Sequence, residues 1–295
     1  MRILVTGARG QLGTDLVAAA TAAGTQVRGL GSADLDITDA DAVQAAVAAF
    51  AAASDGAPAV LINAAAYTAV DAAETDSERA FAVNERGPAH LAASAARHGV
   101  RMIHVSTDYV FPGDAQRPYR VDDPTGPRSV YGASKLAGER AVTSQHPDAH
   151  VVRTAWVYGA AGGNFVRTMA SLERTRPTVS VVADQVGSPT WSADLAAGLL
   201  ELAAADLPGG VLHATNAGQV SWFEFARAVF AELGADPGRV LATTTAEFPR
   251  PAPRPAYSVL SGEEWLSAGL TPLRSWREAL AAAFAADGAA FRAGR

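Results

Sequence analysis

The feature that most constrains this chain is an alternation in its first half, where short apolar runs of strand length are separated by alanine-rich stretches of helix length. Arg2–Thr6, Gln26–Leu30, Ala59–Asn63, Arg101–Ser106 and His150–Thr154 read as strands. Leu12–Ala23, Asp39–Ala53, Glu78–His98 and Gly132–Ser144 read as the helices between them. Gly24 and Gly99 stop two of these helices, and Asp39 offers the short acceptor side chain of an N-cap. Strand–helix–strand repetition requires right-handed crossovers and gives a parallel sheet covered on both faces. The second half is less regular. Val179–Ala183 and Gly210–Thr215 read as strands, and Ala193–Ala205 and Trp222–Leu233 as helices, the latter with a capping box of Ser221 and Glu224. Phe248–Pro255, rich in proline and arginine, reads as loop, and the alanine-rich end is expected to fray over 286–295.

Between the first strand and first helix lies Thr6-Gly-Ala-Arg-Gly-Gln-Leu-Gly13. Gly7, Gly10 and Gly13 permit positive φ and close backbone approach, and the helix behind them presents free N–H groups to an anion such as a pyrophosphate. In such folds an acid at the end of the second strand usually takes the adenosine ribose of NAD. Here that strand ends Gly29-Leu-Gly-Ser32, without an acid. The expectation is NADPH, with NADH also accepted, and Arg9 or Arg28 supplying charge to a 2′-phosphate.

A second motif is Tyr131-Gly-Ala-Ser-Lys135, a spacing that puts both side chains on one helix face. A lysine ammonium near a phenol is expected to draw its pKa toward neutrality and make Tyr131 a usable acid. Val105-Ser-Thr-Asp-Tyr-Val-Phe111 sits at the end of a parallel strand, where open α/β sheets bind ligands, and Thr107 there offers a hydroxyl to the same carbonyl oxygen.

Composition removes other classes. The chain has no cysteine, which excludes disulfides, thiolate metal sites and cysteine nucleophiles. Its net charge of −6 argues against nucleic acid as a partner. No apolar run is long enough to span a bilayer, and Ile3–Val5 is too short for a signal-peptide core, so a cytoplasmic location is expected.

In these motifs the chain resembles the extended short-chain dehydrogenase/reductases, and most closely the dTDP-4-dehydrorhamnose reductase family. The likeness runs from Met1 to about Leu260. Its more specific parts are Asn63-Ala-Ala-Ala-Tyr-Thr-Ala-Val-Asp71 with Glu74, Ser106-Thr-Asp-Tyr-Val-Phe111, Arg153-Thr-Ala-Trp-Val-Tyr158 and Asp184-Gln-Val-Gly-Ser-Pro-Thr190, with Arg254-Pro255 completing it. The resemblance implies a Rossmann-like doubly wound parallel sheet with a smaller α/β substrate-binding lobe. The large domain would comprise 1–159 with 192–216, and the lobe 160–191 with 217–285. It also implies reduction of a 4-keto sugar nucleotide by NAD(P)H. Tyr131 would be the proton donor, Lys135 its activator and Thr107 a hydrogen-bond partner of the carbonyl. Gly7, Gly10, Gln11, Leu12 and Gly13 would hold the pyrophosphate, Asp36 and Ile37 the adenine, and Ala66, Tyr67 and Thr68 the cofactor beyond the third strand. Asp108 and Trp156 would face the sugar nucleotide. Asn84 would act either as a helix kink or in a water relay. Some members of the family resemble magnesium-bridged homodimers. The matching positions here are Asp15 and Asp194, shorter than glutamate, and they are read as ordinary helix acids with no metal site.

Three rival readings stand beside this one, and the dehydratases among them share the loop and the Tyr–Lys pair. A 4,6-dehydratase resembles this chain but carries Thr-Asp-Glu where Tyr109 stands here. A 4-epimerase uses the same hydride chemistry reversibly. The regulatory β subunit of methionine adenosyltransferase keeps the scaffold as a non-catalytic partner protein.

Overall fold

The computed structural model describes residues 1–292. In chain order the large sheet's half contains β1 (Arg2–Thr6), α1 (Gln11–Ala22), β2 (Gln26–Leu30), α2 (Ala40–Ala53), β3 (Ala59–Asn63), α3 (Val70–Ala73), α4 (Ser77–Phe81), α5 (Gly87–Arg97), β4 (Arg101–Thr107), α6 (Val130–Gln145) and β5 (His150–Thr154). There follow β6 (Val157–Tyr158), α7 (Phe165–Thr175), β7 (Val179–Val182), β8 (Val186–Gly187), β9 (Thr190–Trp191), α8 (Ser192–Ala204) and β10 (Gly210–His213). The chain continues through β11 (Val220–Ser221), α9 (Trp222–Glu232), β12 (Val240–Thr243), α10 (Glu263–Ser267) and α11 (Trp276–Arg292).

Six strands form one sheet in the order β10-β5-β4-β3-β1-β2, every neighbouring pair parallel. The architecture is the expected doubly wound α/β fold. Strand alternation assigns the two faces. Ile3 and Val5 point into a core with Leu16 of α1 and Leu195 and Leu199 of α8. Leu4 points the other way, into a core with Val43 and Val47 of α2, Leu91 of α5 and Val142 of α6. Because β2 and β4 lie on opposite outer sides of the β1–β3 pair, the connections diverge there and open a crevice at the carboxyl ends of β1 and β3.

A third core joins α7, α9 and α11 to short strand pairs, with Phe225, Val229, Phe230 and Leu280 fully buried. Its strands pair β7 with β12, β8 with β11 and β6 with β9. Of these strands only β7 was legible in the sequence; β6, β8, β9 and β11 are two residues long and carry no readable alternation, and four-residue β12 was missed.

Two expectations are corrected. The helix expected over Glu78–His98 is interrupted by a wide π turn at Ala82–Arg86. Buried Asn84 sits in this turn, and Pro88, which lacks an N–H, follows in the first turn of α5. The end expected to fray is helical as far as Arg292, kinked at Asp287, because Phe291 is buried and packs its ring 5.1 Å from that of Phe284. Residues 293–295 of that expectation lie outside the described residues.

Candidate active site

The glycines after β1 are fixed by close approach. Gly7 has φ +72°, and a Cβ there would fall 2.6 Å from the nitrogen of Ala65, beyond β3. A Cβ on Gly13 would fall 2.1 Å from the Gly7 carbonyl oxygen, so α1 is drawn against the loop. Gly10 donates its N–H to the Gly7 carbonyl at 2.9 Å and is the N-cap of α1. No side chain caps this helix and no acid stands in its first turn. In α2, by contrast, Asp39 accepts from the N–H groups of Asp41 and Ala42. The first-turn N–H groups of α1, on Gln11, Leu12 and Gly13, therefore remain available to an anion. The Gln11 Oε1 is buried with no partner, and the Leu12 side chain is in the core, which leaves only its backbone to serve a ligand. These features fit a dinucleotide pyrophosphate.

A cleft of about 610 Å³ opens from this loop. Of the expected cofactor residues, Gly7, Gly10, Asp36, Ile37 and Ala66 line it. The Asp36 carboxylate accepts from the Thr38 backbone and hydroxyl at 2.9 and 2.8 Å, which holds it below the usual carboxylate range. Tyr67 has its backbone N–H and carbonyl clasped by Asn84 at 2.8 and 3.0 Å, and its ring packs near Tyr131. Asn84 thus anchors the π turn to the loop after β3. Its amide also donates to the Ser134 hydroxyl, tying the π turn to α6. Thr68 is exposed and does not line the cleft. Arg28 is likewise exposed on edge strand β2, away from the cleft wall. Arg79, Ser32 and Val83 also line the cleft. Sequence reasoning missed them, because nothing local distinguishes Arg79 from any other helix arginine.

At the carboxyl end of β4, Thr107 caps a short 3₁₀ turn over Asp108–Val110, accepting from the Tyr109 N–H at 3.3 Å and donating to Asp108 Oδ1 at 2.9 Å. Helix α6 starts against this turn. Ser129 caps it through the Gly132 N–H, Glu74 Oε1 accepts the Val130 N–H at 2.9 Å, and a Cβ on Gly132 would meet the Tyr109 carbonyl at 2.3 Å. The Tyr131 ring lies edge-on to Tyr109, with centroids 5.5 Å apart. One turn on, Lys135 Nζ donates to the Val105 carbonyl of β4 at 2.7 Å.

The electrostatics correct the sequence reading. Burial pushes the Tyr131 phenol up to about 12, with a hydrogen bond to the Thr107 hydroxyl pulling it down and the Asp108 charge adding to the rise. Desolvation of a phenolate here outweighs any help from Lys135, whose ammonium is engaged by the strand carbonyl. Burial also pulls Lys135 down to about 8, against the opposing charge of Glu139. Asp108 is raised to about 6 by burial, opposed by hydrogen bonds from Ser258 and Thr107, and its Oδ2 has no partner. Behind the site, Glu139 and Arg153 form a bidentate ion pair at 2.9 and 2.8 Å, both side chains 5% exposed, and the Ser106 hydroxyl donates to Glu139.

Trp156 lies two residues beyond β5, whose Thr154 is in register with Thr107. Its φ of +46° is left-handed, unusual for a bulky residue. Its indole stacks on Trp222 and covers the backbone of Gly187, where a Cβ would lie 2.4 Å from the ring. The segment that follows β12 crosses back to the large sheet's loops. Asp184 and Gln185 hold Thr245, and Asp71 pairs with Arg250 and, at 2.9 Å, with Arg254. Asp15 accepts from the Ser192 hydroxyl, and Asp194 is engaged by Arg274 and Asn216, so each of these two acids has a protein partner.

A parallel doubly wound sheet, a three-glycine loop at its switch point and a tyrosine–lysine helix beside it define a nicotinamide-dependent enzyme of the short-chain dehydrogenase/reductase class. A family model described as the RmlD substrate binding domain matches residues 1–288. The chain belongs to that family. It is 52% identical over 290 residues to a dTDP-4-dehydrorhamnose reductase of Streptomyces griseus, covering 97% of this chain and 93% of the relative. It is 50% identical to a probable dTDP-4,6-dihydroxy-2-methyloxan-3-one 4-ketoreductase of Streptomyces antibioticus, covering 96% and 95%. A crystal structure of dTDP-4-dehydrorhamnose reductase from Bacillus anthracis in complex with NADP superposes with a TM-score of 0.91 at 38% identity, covering 97% of this chain and 99% of that one.

Proposed function

We propose that this chain reduces the 4-keto group of dTDP-4-dehydro-L-rhamnose to give dTDP-L-rhamnose, with NADPH as the preferred donor. The observation that carries the reading is the meeting of Tyr131 and Thr107 at the end of β4, beside a phosphate loop whose helix is uncapped. Bound reduced nicotinamide supplies the hydride that reaches C4. A phenol held up near 12 keeps its proton at neutral pH, so Tyr131 is ready to donate to the C4 oxygen as negative charge develops there. The Thr107 hydroxyl, which rests on Asp108 Oδ1, turns its single proton to the same oxygen when the sugar binds. Lys135, fixed by the Val105 carbonyl, supplies positive charge beneath the site and a route for proton resupply. The unpartnered Oδ2 of Asp108 accepts from a sugar hydroxyl, and Trp156, braced on Trp222, is assigned to the sugar side. Residues 160–191 with 217–285 serve as the substrate-binding lobe, and the reaction runs in the cytoplasm.

The test is spectrophotometric oxidation of NADPH with dTDP-4-dehydro-L-rhamnose, run beside GDP- and UDP-linked 4-keto sugars. Turnover confined to another 4-keto sugar would move the assignment to a related 4-ketoreductase, the reading that the Streptomyces antibioticus relative favours. Absence of oxidation with every 4-keto sugar nucleotide would refute it.

A further inference from the structure

Strand β10 is the outer strand of the large sheet, separated by β5 and β4 from the crevice at β3 and β1. A cavity of about 650 Å³ opens at its carboxyl end, within the size range of small-molecule sites. Thr107, Asp108, Tyr131 and Trp156 take no part in its lining. Its walls are pinned. On one side the Tyr119 N–H donates to the Val259 carbonyl at 2.8 Å, and the Ser261 N–H to the Tyr119 carbonyl at 2.7 Å. On the other, the buried Asn216 side chain accepts from the Trp191 N–H at 2.8 Å and donates to Asp194 and to the Arg274 carbonyl at 2.8 and 3.0 Å. The space between them is preformed.

His213, the last residue of β10, lines this cavity and is 1% exposed. Its ring stands edge-on to Phe111, with centroids 5.8 Å apart. Neither ring nitrogen has a hydrogen-bond partner among the described residues. Burial, then the charge of Arg153, pulls the His213 pKa down to about 3, against the backbone of Ser261 and Tyr119 and the charge of Asp123, so the ring is neutral. A polar group left unpaired at this depth costs stability, and a neutral imidazole has one donor and one acceptor to offer. At the mouth, Arg117 is held by both oxygens of Asp123 at 2.7 and 2.8 Å. Arg120 has only Asp122, Glu263 and Glu264 at 3.8, 3.8 and 3.9 Å, too far for hydrogen bonds. The acids there outnumber the two guanidiniums, which disfavours an anion. Arg117, Arg120 and Arg153 behind the ring disfavour a cation. Leu260, Trp265 and Leu273 add apolar surface to the lining. A neutral carbon ring carrying hydroxyls fits this mixture, because a hydroxyl donates or accepts and so serves His213 in either tautomer.

We propose that this cavity is a second ligand site, separate from the active site, that takes a neutral pyranose, with one sugar hydroxyl on the His213 ring and others shared between Arg120 and Glu263. It is independent of the proposed reduction, since no residue assigned to that reaction takes part.

The test is saturation-transfer NMR and calorimetric titration of the folded chain with L-rhamnose and with D-glucose, and with inorganic phosphate as the charged probe. NADP⁺ and dTDP are present at saturation to occupy the active site. The wild type is expected to bind at least one of the two sugars, and more tightly than phosphate. His213→Leu is expected to weaken that sugar by about 10-fold, the scale of one lost hydrogen bond, with a melting temperature at or above that of wild type, because the imidazole nitrogens make no bond within the protein. Glu263→Ala, at an exposed position, is expected to weaken the same sugar several-fold with the fold intact. Binding of neither sugar, unchanged affinity in both variants, or tighter binding of phosphate overturns the proposal. A His213→Leu variant that melts several degrees lower assigns the ring to packing and overturns it as well.

Discussion

The buried pair behind the site permits a quantitative test. Glu139 takes two bonds from Arg153 and one from Ser106, with both charged side chains 5% exposed. Glu139→Gln conserves volume and one acceptor oxygen but leaves the guanidinium without a counter-charge. What remains to Arg153 is the Val121 carbonyl at 3.2 Å and the face of Phe111 at 4.9 Å. Stranding a buried charge costs about 3–5 kcal/mol, and the retained oxygen places this variant near 3. At roughly 2–4 °C per kcal/mol for a large domain, the melting temperature falls by roughly 6–12 °C. Denaturant and thermal unfolding of wild type, Glu139→Gln, Arg153→Met and the double variant form the assay. Removing both charges should recover most of the loss. The same variant carries a kinetic signature. Glu139 opposes the depression of Lys135, so its neutralisation lowers the Lys135 pKa further and moves the alkaline limb of the rate profile to lower pH. A single variant within about 1 kcal/mol of wild type, or a double variant less stable than either single, would refute this account of the pair.

Tyr131→Phe should lower kcat by about 10²- to 10⁴-fold, the usual worth of a positioned acid, while NADPH binding followed by fluorescence stays near wild type. The rate should fall as pH rises through about 8, where buried Lys135 loses its ammonium proton, and fall again below about 6, where Asp108 becomes protonated; Asp108→Asn should remove the acid limb. Stability runs differently. The Lys135 pKa is lower in the folded chain than in the unfolded one, so between about 8 and 10.5 the unfolded chain holds more protons and this group's contribution rises with pH. Gly13→Ala puts a methyl 2.1 Å from the Gly7 carbonyl oxygen and should cost about 1–3 kcal/mol while weakening cofactor binding, read by unfolding and titration.

The parts of this protein that were legible in its sequence are those whose physics is local. The Gly7–Gly13 loop declares itself because only glycine admits the 2.1 and 2.6 Å approaches that close it. The Tyr131–Lys135 pair declares itself through helix periodicity. The other parts depend on residues far apart in the chain. Asp71 meets Arg250 and Arg254 nearly 180 positions away, and no pattern near either end announces the pairing. The helix expected through Asn84 widens into a π turn where its side chain clasps the Tyr67 backbone, a partner 17 positions away that no local pattern announces.

The sign of the tyrosine shift shows why the remainder was not legible. The sequence supplies the ammonium four residues from the phenol and therefore suggests a depressed pKa. Burial and the Asp108 charge are tertiary facts, and together they reverse the sign. A reductase is served by that reversal, since its tyrosine must hold a proton until charge appears on the substrate oxygen. A phenol brought near neutrality would be partly ionised before the reaction began. Tyr131 raised to about 12 remains protonated throughout the range in which Lys135 keeps its charge. The alkaline limb of the rate therefore belongs to the lysine. An alkaline limb that stayed in place in Lys135→Arg would return the titration to the phenol and restore the simpler reading of the motif.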